Sequence, residues 1–187
     1  MIRELELRFL GSVSSRAVAT PFLKAPGDAV LIERGRPRLL LLLCPCGCGE
    51  NFPINLDPRA GPAWRIYQDT ELGQKRVCST WRKRGTLSVY PSVWRESGCR
   101  SHYIIWNSKI ILLGRGEEDF DASLQLTAPM VRAVYERLPI TGLIQFTEVA
   151  EALDAVPWDV LTACRRLVRT GGAREGIGKQ RGSFGRS

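Results

Sequence analysis

Leu39-Leu40-Leu41-Leu42-Leu43-Cys44-Pro45-Cys46-Gly47-Cys48-Gly49 decides the reading of this 187-residue chain. The leucine run is far short of the ~20 apolar residues needed to cross a bilayer, so it predicts a buried strand. That strand runs directly into three cysteines. Pro45, Gly47 and Gly49 suit a tight knuckle, because glycine tolerates positive φ and lets backbone amides turn toward sulfur. Further along, Gly98-Cys99-Arg100-Ser101-His102 adds another cysteine and the only histidine of the chain.

Two close groups of sulfur and imidazole donors from separate parts of a chain are the composition of a structural zinc site. The favoured ligand set is Cys44, Cys48, Cys99 and His102, in which Cys44/Cys48 and Cys99/His102 are the two pairs. A competing set takes Cys44, Cys46, Cys48 and Cys99 and leaves His102 out. The difference is chemical, because a ligated histidine cannot act as a base. Free cysteines are often small buried hydrophobes, but so dense a cluster is poorly explained that way. Cys78 and Cys164 have no motif around them; Cys164 fits the buried face of a helix.

Hydrophobic residues make up 44% and charged residues 25% of the chain, ordinary values for a globular protein with a real core. Met1-Ile2-Arg3-Glu4-Leu5-Glu6 has no signal-peptide core, so the expectation is a reducing cytoplasm, with zinc rather than disulfides and no membrane partner. The net charge of +8 is uneven. Arg165, Arg166, Arg169, Arg174, Lys179, Arg181 and Arg186 face one acid, Glu175, in the C-terminal stretch. An acidic partner is therefore expected to meet that end.

Residues 1 to about 38 read as irregular with short strands. Leu39–Leu43, Phe52–Leu56, Ala63–Tyr67 and Thr86–Trp94 follow as strands, and Tyr103–Trp106 with Lys109–Leu113 forms a hairpin across Asn107-Ser108. Metal binding here would close a long loop. Helical spacing then begins near Thr127, with Pro129 in a first turn. A short helix follows Thr147, and a third runs from Pro157 to Gly171-Gly172. The three helices and the basic tail resemble a winged helix-turn-helix domain. In such a domain Arg165, Arg166 and Arg169 would lie on the outward face of the recognition helix, a nucleic-acid candidate.

The fold class expected is therefore α+β. A small zinc-stapled antiparallel β domain with an irregular N-terminal segment would fill residues 1–114, a linker 115–127, and a winged-helix-like domain 128–187.

Cys44 to Gly49, Ile54-Asn55-Leu56, Trp64, Tyr90-Pro91-Ser92-Val93-Trp94 and Gly98 to Tyr103 together resemble a bacterial family of unknown-function proteins, over roughly residues 25 to 114. That family is encoded beside ubiquitin-like proteins and their activating and conjugating enzymes, in gene neighbourhoods linked to phage defence. The resemblance implies these as partners, and in its enzymatic version a peptidase that processes or removes the modifier. Ser92 and Ser101 are the serines within the matching motifs, and His102 is the base available to them. If His102 ligates zinc, that mechanism is excluded. A zinc closed by three thiolates and a histidine has no open position for water. A non-catalytic DNA-binding regulator is the alternative, and an adaptor that only binds the modifier is a third.

Overall fold

The computed structural model describes residues 3–69, 75–77, 85–113 and 126–187. Cys78 and nearly all of the expected linker lie outside them. The chain divides into two compact units, one carrying residues 3–69 and 85–113 and the other residues 126–187.

In the first unit the elements run β1 (Arg3–Glu6), β2 (Arg8–Val13), α1 (Arg16–Ala19), β3 (Asp28–Glu33), β4 (Pro37–Leu43) and β5 (Asn51–Asn55). They continue with β6 (Arg65–Asp69), β8 (Leu87–Trp94), β9 (His102–Trp106) and β10 (Lys109–Leu113); β7 (Lys75–Val77) comes between β6 and β8 in sequence, outside those two residue ranges. They make two sheets, in the orders β1-β10-β9-β8-β6-β7 and β2-β3-β4-β5. One core joins the sheets: Leu31, Leu40, Leu42 and Ile54 from the smaller pack with Val89, Val93, Tyr103, Ile105 and Ile110 from the larger.

The leucine run is explained by burial on both faces of β4. Leu40 and Leu42 enter the core between the sheets, whereas Leu41 and Leu43 face the other way and pack with Ala19, Leu23, Val30 and Ile32 beneath α1. A strand covered on both sides reads as a continuous apolar run instead of alternating. Asn107 and Ser108, both with positive φ, turn the β9–β10 hairpin as a tight two-residue loop.

Two features depart from the sequence reading. β2 and β3 pair in parallel, against the expected antiparallel arrangement; the connection through α1 supplies the crossover that parallel pairing needs. The N-terminal segment is also regular, with β1 completing the six-stranded sheet against β10.

In the second unit α2 (Ala128–Arg137), β11 (Ile144–Gln145), α3 (Phe146–Ala152), α4 (Pro157–Arg169), β12 (Ala173–Glu175) and β13 (Ser183–Arg186) follow one another. The Thr127 side chain caps α2 by accepting from the Met130 amide. The strands form a sheet in the order β11-β13-β12. The helices close on Val134, Leu138, Val149, Val160, Ala163 and Cys164, with Phe184 from the sheet. Cys164 is fully buried, and burial pushes its thiol pKa up to about 12. No described helix is long and apolar enough to cross a membrane.

Candidate metal centre and active site

The knuckle of residues 44–50 joins β4 to β5. Its first turn is tight: the Gly47 amide donates to the Cys44 carbonyl at 3.2 Å, and the Cys44 amide to the Glu50 carbonyl at 2.9 Å. Cys99 comes from the connection between β8 and β9. The Sγ atoms of Cys44, Cys46, Cys48 and Cys99 lie within 4.8 Å of one another. Since Cys44 directly follows β4 of the smaller sheet and Cys99 lies in the connection between β8 and β9 of the larger, the cluster bridges the two sheets.

The donor set fits a divalent soft metal. At a Zn–S bond near 2.3 Å, tetrahedral sulfurs sit about 3.8 Å apart. Cys44 Sγ is 3.7 Å from Cys99 Sγ and 3.3 Å from Cys46 Sγ. Without a cation the thiols are unequal. Burial, then hydrogen bonding with Cys44, pushes the Cys46 thiol up. Burial also acts on Cys99, but hydrogen bonds from the Ser101 hydroxyl and amide, with those from Cys46 and Cys44, outweigh it and bring that thiol down. A bound metal would hold all four as thiolates.

Ser101 and Arg95 surround these sulfurs. The buried Ser101 hydroxyl is 3.2 Å from Cys99 Sγ and 3.5 Å from Cys44 Sγ. Arg95 Nη1 donates to Cys99 Sγ at 3.3 Å and to Cys48 Sγ at 3.6 Å. Its Nη2 pairs with Glu50, and its guanidinium lies over the Phe52 ring at 5.3 Å. Burial works against the Arg95 charge, yet Glu50 and the Cys44 and Cys99 sulfurs more than offset it and raise its pKa. Gly98 allows this contact: a Cβ there would sit 3.1 Å from Glu50 Oε2. Sequence reading missed Arg95, although its place between Trp94 and Gly98, joining two motifs, was a usable signal.

His102 is not in the sulfur group, so the favoured ligand pair Cys99/His102 is not the one the geometry gathers; the competing all-cysteine set is. His102 opens β9, opposite Trp94 of β8. The two rings stack with centroids 4.6 Å apart and planes at 21°. Ser92 precedes the core residue Val93, and His102 precedes the core residue Tyr103, which pairs with Val93. Strand alternation turns His102 away from the core, although its ring is half-buried and its Nε2 is enclosed. Ser92 lies in a bulge, where four steps of β8 from Val89 to Val93 match two steps of β9. The Trp64 indole donates to the Ser92 carbonyl at 3.2 Å, fixing that bulge. Of the two candidate serines, Ser101 is engaged with sulfur, while Ser92 is half-buried in the bulge.

On α4 the Arg166 and Arg169 side chains are exposed and Arg165 is half-buried. Part of the basic tail is used internally. Arg174 donates to the carbonyls of Ile140 and Gly142, and Arg186 to those of Tyr135 and Glu136.

Residues 17–113, just over half of the chain, match the model of a family described as bacterial ubiquitination-like system serine protease (BubE). No curated protein and no solved structure matches the chain.

Proposed function

The chain belongs to the bacterial ubiquitination-like system serine protease family, and from that premise we propose that it is a peptidase that trims or removes a ubiquitin-like modifier. Ser92 is the nucleophile and His102 the base. The observation that carries this reading is the completeness of the four-sulfur group without His102. Four cysteines would hold zinc as a closed structural site, leaving the imidazole for proton transfer.

Ser92 Oγ attacks the carbonyl of the scissile amide while His102 takes the hydroxyl proton and passes it to the departing amine. Water then attacks the acyl-serine, and the same imidazole takes its proton and returns it to Ser92. Stacking against Trp94 holds the imidazole plane. Ser101 and Arg95 act on the sulfurs instead: a hydroxyl and a guanidinium donating to thiolates orient them and offset their charge. The zinc itself would stabilise the join between the sheets. Modifier, activating enzyme and conjugating enzyme are the proposed partners, in the cytoplasm.

The test is cleavage of a C-terminally extended ubiquitin-like protein from the same gene neighbourhood. Loss of cleavage in Ser92→Ala, with the fold and metal retained, is the expected result; full activity in that variant overturns the assignment.

A second reading concerns residues 126–187. The order helix, strand, helix, helix, strand, strand, with the sheet order β11-β13-β12, supports a winged-helix-like unit. Its use as a DNA-binding regulator would rest on Arg165, Arg166 and Arg169. Salt-sensitive binding to duplex DNA, lost in the Arg165→Ala/Arg169→Ala double variant, is the corresponding test.

A further inference from the structure

The end of β4 remote from the cysteine knuckle carries a second concentration of charge. Ser15, Arg16, Ile32, Arg34, Arg38 and Leu39 line an open cavity of about 390 Å³ there. Its apolar floor comes from Ile32 and Leu39, and three guanidiniums surround it. Behind them Asp57, buried at 4% exposure, accepts from Arg36 at 3.1 Å, from Arg59 at 3.3 Å, and from Arg38. One carboxylate thus serves three arginines. Arg34 is held by its Nε donating to the Ser14 carbonyl at 2.8 Å, a bond that leaves its terminal nitrogens available. Arg16 is exposed on α1. Five arginines gather at this end of the sheet, and the acids beside them are Asp57 and Glu33. Counting charge along the sequence hides this excess, because acids elsewhere in the unit cancel it.

We propose that this cavity docks an acidic peptide segment in which carboxylate side chains are spaced by apolar ones. The guanidiniums match the carboxylates, and the Ile32 and Leu39 floor matches the apolar side chains between them. A phosphate group alone would leave that floor uncovered. Building on the peptidase reading, the segment belongs to the protein substrate, and the cavity is an exosite. Its Leu39 edge is five residues from Cys44 along β4, about 17 Å at ~3.4 Å per residue. Its arginines therefore set binding of the whole substrate and not the chemical step.

The test is fluorescence anisotropy of the full chain with a labelled peptide of alternating glutamate and leucine, beside its glutamine counterpart. The wild type is expected to bind the glutamate peptide, more weakly as salt rises, and to bind the glutamine peptide at least tenfold less well. Arg16→Ala/Arg34→Ala, two surface changes expected to leave the melting temperature unchanged, should weaken glutamate-peptide binding at least tenfold. Arg16→Glu alone should weaken it too. Equal binding by the double variant, or no binding by the wild type, overturns the proposal. So does inorganic polyphosphate or duplex DNA binding that displaces the peptide and is lost in the same variant, since that assigns the cavity to phosphate. Because cleavage is not read, failure here and failure of the peptidase reading remain distinct.

Discussion

His102 has two incompatible uses, as ligand or as base, and its neighbours bear on the choice. Four sulfurs close a group without it, and its ring is stacked on Trp94. As a base it contributes about 10²–10⁴-fold to a hydrolytic rate, so His102→Ala should lose that much in kcat on a processed substrate. Ser101→Ala separates the two serines. With Ser101 Oγ 3.2 Å from Cys99 Sγ, the variant should keep most of its cleavage while its metal affinity falls about 10–100-fold, read by competition with a chromogenic chelator. Trp94 is 61% exposed, an unusual position for so large an apolar ring, and its exposed part extends the outward surface at His102. Asp28 shows a stability effect of a different kind. Its burial works against ionisation, but the Ala25 and Lys24 amides and Arg8 outweigh it, so its pKa is lowered in the fold. A lowered carboxyl contributes stability above its unfolded pKa and loses it as pH falls through the folded value. Asp28→Asn should therefore lower the melting temperature at neutral pH, and the gap from wild type should narrow in acid.

Among the elements, β4 is both the most legible and the most committed to the core. Leu40 and Leu42 are fully buried, and truncating either to alanine is expected to destabilise the fold by about 2–5 kcal/mol, measured by denaturant unfolding. The run could be read as a strand because burial on both faces demands it. The β9–β10 hairpin was legible for a local reason, the Asn107-Ser108 turn between apolar runs. By contrast, the pairing of β1 with β10 joins segments far apart in sequence, and no local signal encodes it. The parallel pairing of β2 with β3 was hidden in the same way: period-two patterning marks a strand but not its partner's direction. For the candidate metal centre, spacing identified the four cysteines that the structure gathers, while the favoured set with His102 put an imidazole in place of Cys46. Cys46 and Cys48 are separated by one residue, and the turn closed by the Gly47 amide folds the chain back so that both sulfurs join the group.

At the scale of the molecule, the family match covers residues 17–113, most of which belong to the strand-rich unit. The second unit was read from helical spacing and its basic tail; its three short strands, β11, β12 and β13, are too brief to show periodicity in the sequence. The C-terminal charge was legible as a count but not as a surface, since Arg174 and Arg186 are spent on backbone carbonyls. The cysteine cluster joins the end of β4 to the β8–β9 connection, and so links the two sheets of the first unit. If the cluster holds zinc as proposed, chelation should lower the melting temperature of that unit and leave the helical signal of the second in place, separable by circular dichroism.

The measurement that bears most directly on the account is the zinc content of purified His102→Ala beside wild type, by elemental analysis of folded protein. Four cysteines sufficing as ligands predicts one zinc per chain in both. Loss of the metal from the folded variant would make His102 a ligand and contradict its assignment as the base.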